Sequence, residues 1–180
     1  MLAYGQVSLQ VNWTDLQFGG GPPNEAQSVA FNRNRVIAGE VLGNASGGVD
    51  VHVRGYNANT GNLVWEDIIN GGAVRVDAVG NDAFAAVNLS VSFPNPNILI
   101  RSYNQRTGDI QWSTTLPRYV TATAFAVRGN RVLLTAYSST PFWNKRFFTC
   151  FRSGHRQSVT DNDIGGTAHV SHHRFHFLGL

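Results

Sequence analysis

Val53 to Trp65 reads VRGYNANTGNLVW, and Ile100 to Trp112 reads IRSYNQRTGDIQW, forty-seven positions later and without a gap. Six residues return in register: Arg54/Arg101, Tyr56/Tyr103, Asn57/Asn104, Thr60/Thr107, Gly61/Gly108 and Trp65/Trp112. Self-similarity at a fixed period of this size marks a stack of similar structural units. It specifies an architecture and no reaction.

Two further landmarks keep nearly the same period. The stretches VAFNRNRVIAG, VDAVGNDAFAA and FAVRGNRVLLT carry Asn34, Asn81 and Asn130, which lie 47 and 49 positions apart. Trp13, Trp65 and Trp112 lie 52 and 47 apart, so the chain is expected to open at the end of an earlier unit.

Each unit reads as four short strands. In the best-formed one they are Gln27–Phe31, Arg35–Val41, Val49–Tyr56 and Asn62–Asp67, separated by Asn- and Gly-rich turns. Val51, Val53 and Gly55 alternate with His52, Arg54 and Tyr56, the period of a strand with two unlike faces. No stretch keeps apolar residues at helical spacing for three turns. The expected fold is all-β, a β-propeller of four-stranded antiparallel blades. The approximate units are 1–26 (partial), 27–67, 73–114 and 120–160 (degenerate).

Turn chemistry explains the repetition. Asn57 and Asn104 are placed to fold their side-chain oxygens onto backbone N–H groups two residues ahead. Gly61 and Gly108 supply the positive φ of a tight hairpin exit. Trp65 and Trp112 then offer a large ring to fill the space between sheets. These residues are read as packing determinants, since repeat positions encode the fit between neighbouring units.

The pattern Tyr-Asn-x-x-Thr-Gly-x-x-x-Trp, at Tyr56–Trp65 and again at Tyr103–Trp112, resembles the tryptophan-docking motif of pyrroloquinoline-quinone-like (PQQ-like) propeller repeats. Asn57 and Asn104 stand where that family usually has Asp. The resemblance covers about Trp13 to Phe148 and implies that each tryptophan docks against a neighbouring blade. It also implies one of two functions. One is a non-catalytic scaffold or protein-interaction module in an extracytoplasmic bacterial setting. The other is a fragment of a quinone-dependent dehydrogenase, with a calcium or lanthanide ion and a catalytic Asp. Many such dehydrogenases carry a vicinal cysteine pair, which this chain lacks, having Cys150 alone. Glu40, Asp50, Asp77 and Asp82 are carboxylates without a matching metal motif. The scaffold reading is therefore preferred, with no cofactor, catalytic residue or metal ligand assigned. At 47 residues per unit, 180 residues hold about three to four blades, so an incomplete ring is expected. Its partners would be other blades or a protein.

The third copy departs from the pattern. At a spacing of 47, Cys150 falls where an aromatic is expected and Val159 where tryptophan is expected. A terminal unit in decay, or two local shifts of reading frame, would give this. Cys150–Val159 is accordingly expected to pair poorly, and Ser171–Leu180 to be loosely held. That tail contains His172, His173 and His176, with His169 just before it. Biased terminal composition accounts for it better than a zinc site, which wants four closed ligands.

Composition narrows the rest. Apolar residues make up 42% and charged residues 14%, a balance that suits turn-rich β structure with a real core. The net charge of +3 comes from arginines scattered along strands, without the clustering that a nucleic-acid face needs. Arg54 and Arg101 are expected to make a hydrogen bond or salt bridge at a blade edge. No apolar run reaches a membrane-spanning length, and MLAYGQVSLQVNW does not read as a secretory signal. Asn12, Asn44 and Asn88 fit the N-glycosylation pattern, which arises readily by chance in an Asn-rich chain.

Overall fold

A computed structural model describes residues 12–17, 19–89, 97–117, 121–129, 131–140 and 143–152. Within them the chain is all-β and antiparallel, with ten strands and no helix. One sheet holds seven strands in chain order: β1 (Gly21–Asn32), β2 (Arg35–Gly43), β3 (Val49–Asn57), β4 (Leu63–Val79), β5 (Asp82–Leu89), β6 (Asn97–Asn104) and β7 (Ile110–Pro117). A second sheet has the order β10-β9-β8, from β8 (Thr121–Arg128), β9 (Arg131–Thr140) and β10 (Trp143–Arg152).

The seven-stranded sheet is two meanders joined through β4. β3 pairs with the first half of β4, from Leu63 to Asn70, and β5 pairs with the second half, from Gly71 to Val79. β4 thus closes one four-stranded unit and opens the next. The sequence pattern ends this strand at Asp67. The strand instead runs through both glycines, with a bulge between Gly71 and Ala73. A Cβ on Gly71 would stand 2.7 Å from Val87 Cγ1 and 2.9 Å from the Asn88 carbonyl oxygen. Here the glycine serves close approach within a strand.

The β1–β2 and β4–β5 connections are two-residue hairpins, Arg33-Asn34 and Gly80-Asn81. Their first residues have φ of 55° and 63°, and Gly129 before β9 has 55°. A positive φ here matches the twist of the flanking strands.

The units stack face to face. Ile37, Val41, Val51 and Val53 of the first pack against Val74, Val76, Ala83, Ala85 and Val87 of the second. On the other face of β5, Phe84 and Ala86 join Ile98, Ile100, Ala122, Val127, Val132 and Leu134 in a second core. Burial on both faces explains why β5 reads as a continuous apolar run. Side chains also cap the strand edges that face a neighbouring unit. Gln27 Oε1 accepts from Val74 N at 3.0 Å, Ser28 Oγ from Val76 N at 3.0 Å, and Asp77 Oδ2 from Val127 N at 2.6 Å. Asn88 is buried and accepts from Ala122 N at 2.9 Å, which rules it out as a glycosylation site in this fold.

In the third unit, Cys150, Phe151 and Arg152 pair in register with Leu133, Val132 and Arg131. That part of Cys150–Val159 pairs as well as the rest of β10, contrary to expectation. The other residues of that segment, and the histidine tail, lie outside the described residues.

Candidate functional site

The repeated motif builds a seat for a tryptophan from the preceding segment. Asn57 Oδ1 accepts from Asn59 N and Thr60 N at 3.0 and 3.2 Å. Asn104 Oδ1 does the same with Arg106 N and Thr107 N at 2.9 and 3.3 Å. Thr60 and Thr107 turn their hydroxyls back onto the N–H groups of Asn62 and Asp109. Gly61 and Gly108 follow with φ of 74° and 82°.

Trp65 lies on the second of these turns. Its Nε1 donates to the Gln105 carbonyl at 3.0 Å, and its ring stacks on Tyr103 at 5.3 Å. A Cβ on Gly108 would come within 2.6 Å of the indole, and one on Gly55 within 2.3 Å. The ring is held between two glycines. Trp13 repeats the arrangement one unit earlier. Its Nε1 donates to the Ala58 carbonyl at 3.0 Å, its ring stacks on Tyr56 at 5.8 Å, and Gly61 lies against it.

A polar lock accompanies each indole. Tyr103 donates its hydroxyl to Asp67 at 2.7 Å, and Tyr56 donates to Asp15 at 2.8 Å. Each aspartate sits two residues after its tryptophan, in Trp13-Thr14-Asp15 and Trp65-Glu66-Asp67. That spacing was the available signal, and the sequence reading passed over it. Burial, reinforced by the neighbouring carboxylate, pushes both phenols well above their ordinary pKa and keeps them as donors. The Tyr56 and Gln17 hydrogen bonds hold Asp15 below its ordinary value.

Arg54 and Arg101 are both ion-paired. Arg101 Nη1 meets Asp67 Oδ2 at 2.6 Å, across the seam. Arg54 bridges Glu40 at 2.6 Å and Glu66 at 2.7 Å, and His52 Nδ1 lies 2.7 Å from the same Glu66 oxygen. Burial raises the Glu40 pKa. Burial acts upward on Glu66 too, but hydrogen bonds from His52 and Arg54 outweigh it and the net shift is down.

At Trp112 the residues of the lock are replaced. Trp112 is half-buried and tilts against Phe84 at 6.1 Å. Ser102 faces it where Gly55 faces Trp65, and Thr114 replaces the aspartate. Register also corrects the spacing argument. Arg152 lies opposite Arg131 as Asn57 lies opposite Arg35, so Phe151, and not Cys150, holds the tyrosine position. The aromatic persists and the hydroxyl is lost.

The four carboxylates singled out from sequence are not gathered into one place. Glu40 binds Arg54, Asp50 accepts from Asn44 and Asn70, Asp77 binds Val127 N, and Asp82 accepts from Gln111 at 3.0 Å. Among the described residues no group of three metal-ligating side chains forms, and no helix is long and apolar enough to cross a membrane. The arrangement recognises neighbouring chain by ring seating and directional hydrogen bonds. No protein-family model and no curated protein matches this chain.

Proposed function

We propose that the chain is an arc of a PQQ-like β-propeller acting as a non-catalytic scaffold, and that the outer face of its first unit receives a further four-stranded unit of the same repeat. One observation carries this reading. Val29 and Val76 hold equivalent register positions, opposite Ala38 and Ala85. Val76 is 6% exposed under the first unit, whereas Val29 is 70% exposed and Phe31 beside it 67%. Trp13 and Asp15 already occupy on that face the place that Trp65 and Asp67 take on the second unit. The face is built as an interface, and it already carries the segment of Trp13 and Asp15.

In solution a second copy is the source of that unit. Light scattering across protein concentration should give a mass above the 19.7 kDa of one chain. Val29→Lys with Phe31→Lys alters two exposed side chains, so the circular dichroism should be kept and the self-association lost. A wild-type chain that stays monomeric at every concentration would refute the docking face.

A further inference from the structure

At the hairpin end of the sheets, the seam between the first two units opens into a cleft of about 440 Å³. Arg33, Asn34 and Arg35 line it from the first unit, and Asn81 and Arg106 from the second. Arginines 71 or more positions apart in sequence thus meet in one concavity whose lining includes no carboxylate. Among the described residues none of these three is in an ion pair, in contrast to Arg54 and Arg101. The nearby Asp82 accepts from Gln111 instead of lining the cleft.

One feature marks the site as built. Arg33 has a φ of 55° at a hairpin position where the later units use Gly80 and Gly129. A side chain in the left-handed region is disfavoured, and strain kept at one copy of a repeat points to a use for that side chain. Below Arg33 the walls are braced. Asn32 Nδ2 donates to Gln105 Oε1 at 3.0 Å, Gln105 Nε2 returns to the Asn32 carbonyl at 2.9 Å, and Arg33 Nη1 reaches Asn81 Oδ1 at 2.7 Å.

We propose that this cleft binds a small phosphate-bearing molecule. Planar guanidinium forks suit the several oxygens of a phosphate, and three positive charges suit a dianion better than a single carboxylate. The volume falls within the usual range of ligand pockets, about 300–1,000 Å³, and leaves room for a short organic part.

The full chain, with its arginine Nε–Hε groups followed by ¹⁵N NMR, is titrated at constant ionic strength with glycerol 3-phosphate, inorganic phosphate and acetate. Saturable shifts at Arg33, Arg35 and Arg106 with phosphate, and not with acetate, are expected. Tighter binding of the ester assigns an organic phosphate, and equal binding assigns the free anion. R106Q should weaken binding roughly tenfold, the size of one charge-assisted hydrogen bond. R33G should weaken it similarly while raising the melting temperature, because glycine relieves the backbone. Absence of saturable shifts, equal response to acetate, or unchanged affinity in R106Q or R33G would overturn the proposal. So would a fall in R33G melting temperature with binding intact, the signature of a bracing role alone.

Discussion

Gly80 and Gly108 both adopt left-handed backbone, with φ of 63° and 82°, but their surroundings differ. A Cβ on Gly80 meets nothing within 4 Å, whereas one on Gly108 lies 2.6 Å from Trp65 Cγ. Gly80→Ala should therefore cost only the backbone term, roughly 1–2 kcal/mol. Gly108→Ala carries the same term and must also displace the indole. The ring has little room to retreat, because Gly55 lies against it and Tyr103 stacks on it. Truncating a buried tryptophan costs about 3–5 kcal/mol, and the Nε1 hydrogen bond to Gln105 adds about 1 kcal/mol. Losing half or more of that seat puts Gly108→Ala about 2–4 kcal/mol below Gly80→Ala. In thermal terms the gap is roughly 4–16 °C for a chain of this size. Urea unfolding followed by far-ultraviolet circular dichroism, with unchanged slopes, gives the difference directly. Equal losses in the two variants would show that the tryptophan is not held by this contact, and the account of the seam would fail.

Tyr103→Phe should cost about 1 kcal/mol, and Asp67→Asn more, because Arg101 loses its counter-charge; a double-mutant cycle should return a coupling of about 1 kcal/mol. A coupling near zero would remove the hydroxyl–carboxylate lock. Glu66 is held below its ordinary pKa of 4.5, so its contribution is present above that value and lost as pH falls through the folded one. Glu66→Gln should flatten the acid loss of stability, measured by urea midpoints from pH 6 to about pH 3. Glu40 is raised by burial and acts with the opposite sign, so Glu40→Gln should steepen the same loss. Identical acid profiles in both variants would count against the network. Reconstitution with pyrroloquinoline quinone and calcium should give no substrate-dependent dye reduction with alcohols or sugars; reduction well above the blank would replace the scaffold reading with the dehydrogenase one.

The all-β class and the Asn-initiated turns were legible because they are local. Asn57 and Asn104 cap N–H groups two residues ahead, and Gly61 and Gly108 have the expected sign of φ. Strand boundaries were less legible. β4 passes from one unit into the next, and a glycine pressed against Val87 cannot be told by composition from one that ends a strand. The aspartates of the lock were hidden for another reason. Their motif recurs only as Asp15 and Asp67, and their partners lie 41 and 36 positions away. The arginine cleft was invisible in principle, since nothing along the chain brings residue 106 beside residues 33 and 35.

The two seams are held by different physics. The first has a core rich in valine and alanine, with Trp65 and Tyr103 at one end, and adds directional bonds through Asp67, Arg101 and the Gln105 carbonyl. The second has lost the aspartate and the tyrosine hydroxyl, and its core is built from bulkier side chains, including Phe84, Ile98, Ile100, Leu116 and Leu134. Apolar burial gives strength without direction, whereas a buried hydroxyl–carboxylate pair tolerates one register only. The first seam can therefore reject a shifted partner that the second would accept. The outer face of the first unit carries the selective version, with Tyr56, Gly61 and Arg54 in place and Asp15 already bound. A unit that docks there meets an indole seat already filled by Trp13 and a Tyr56 hydroxyl already paired with Asp15, so it has to match the register that these two residues set.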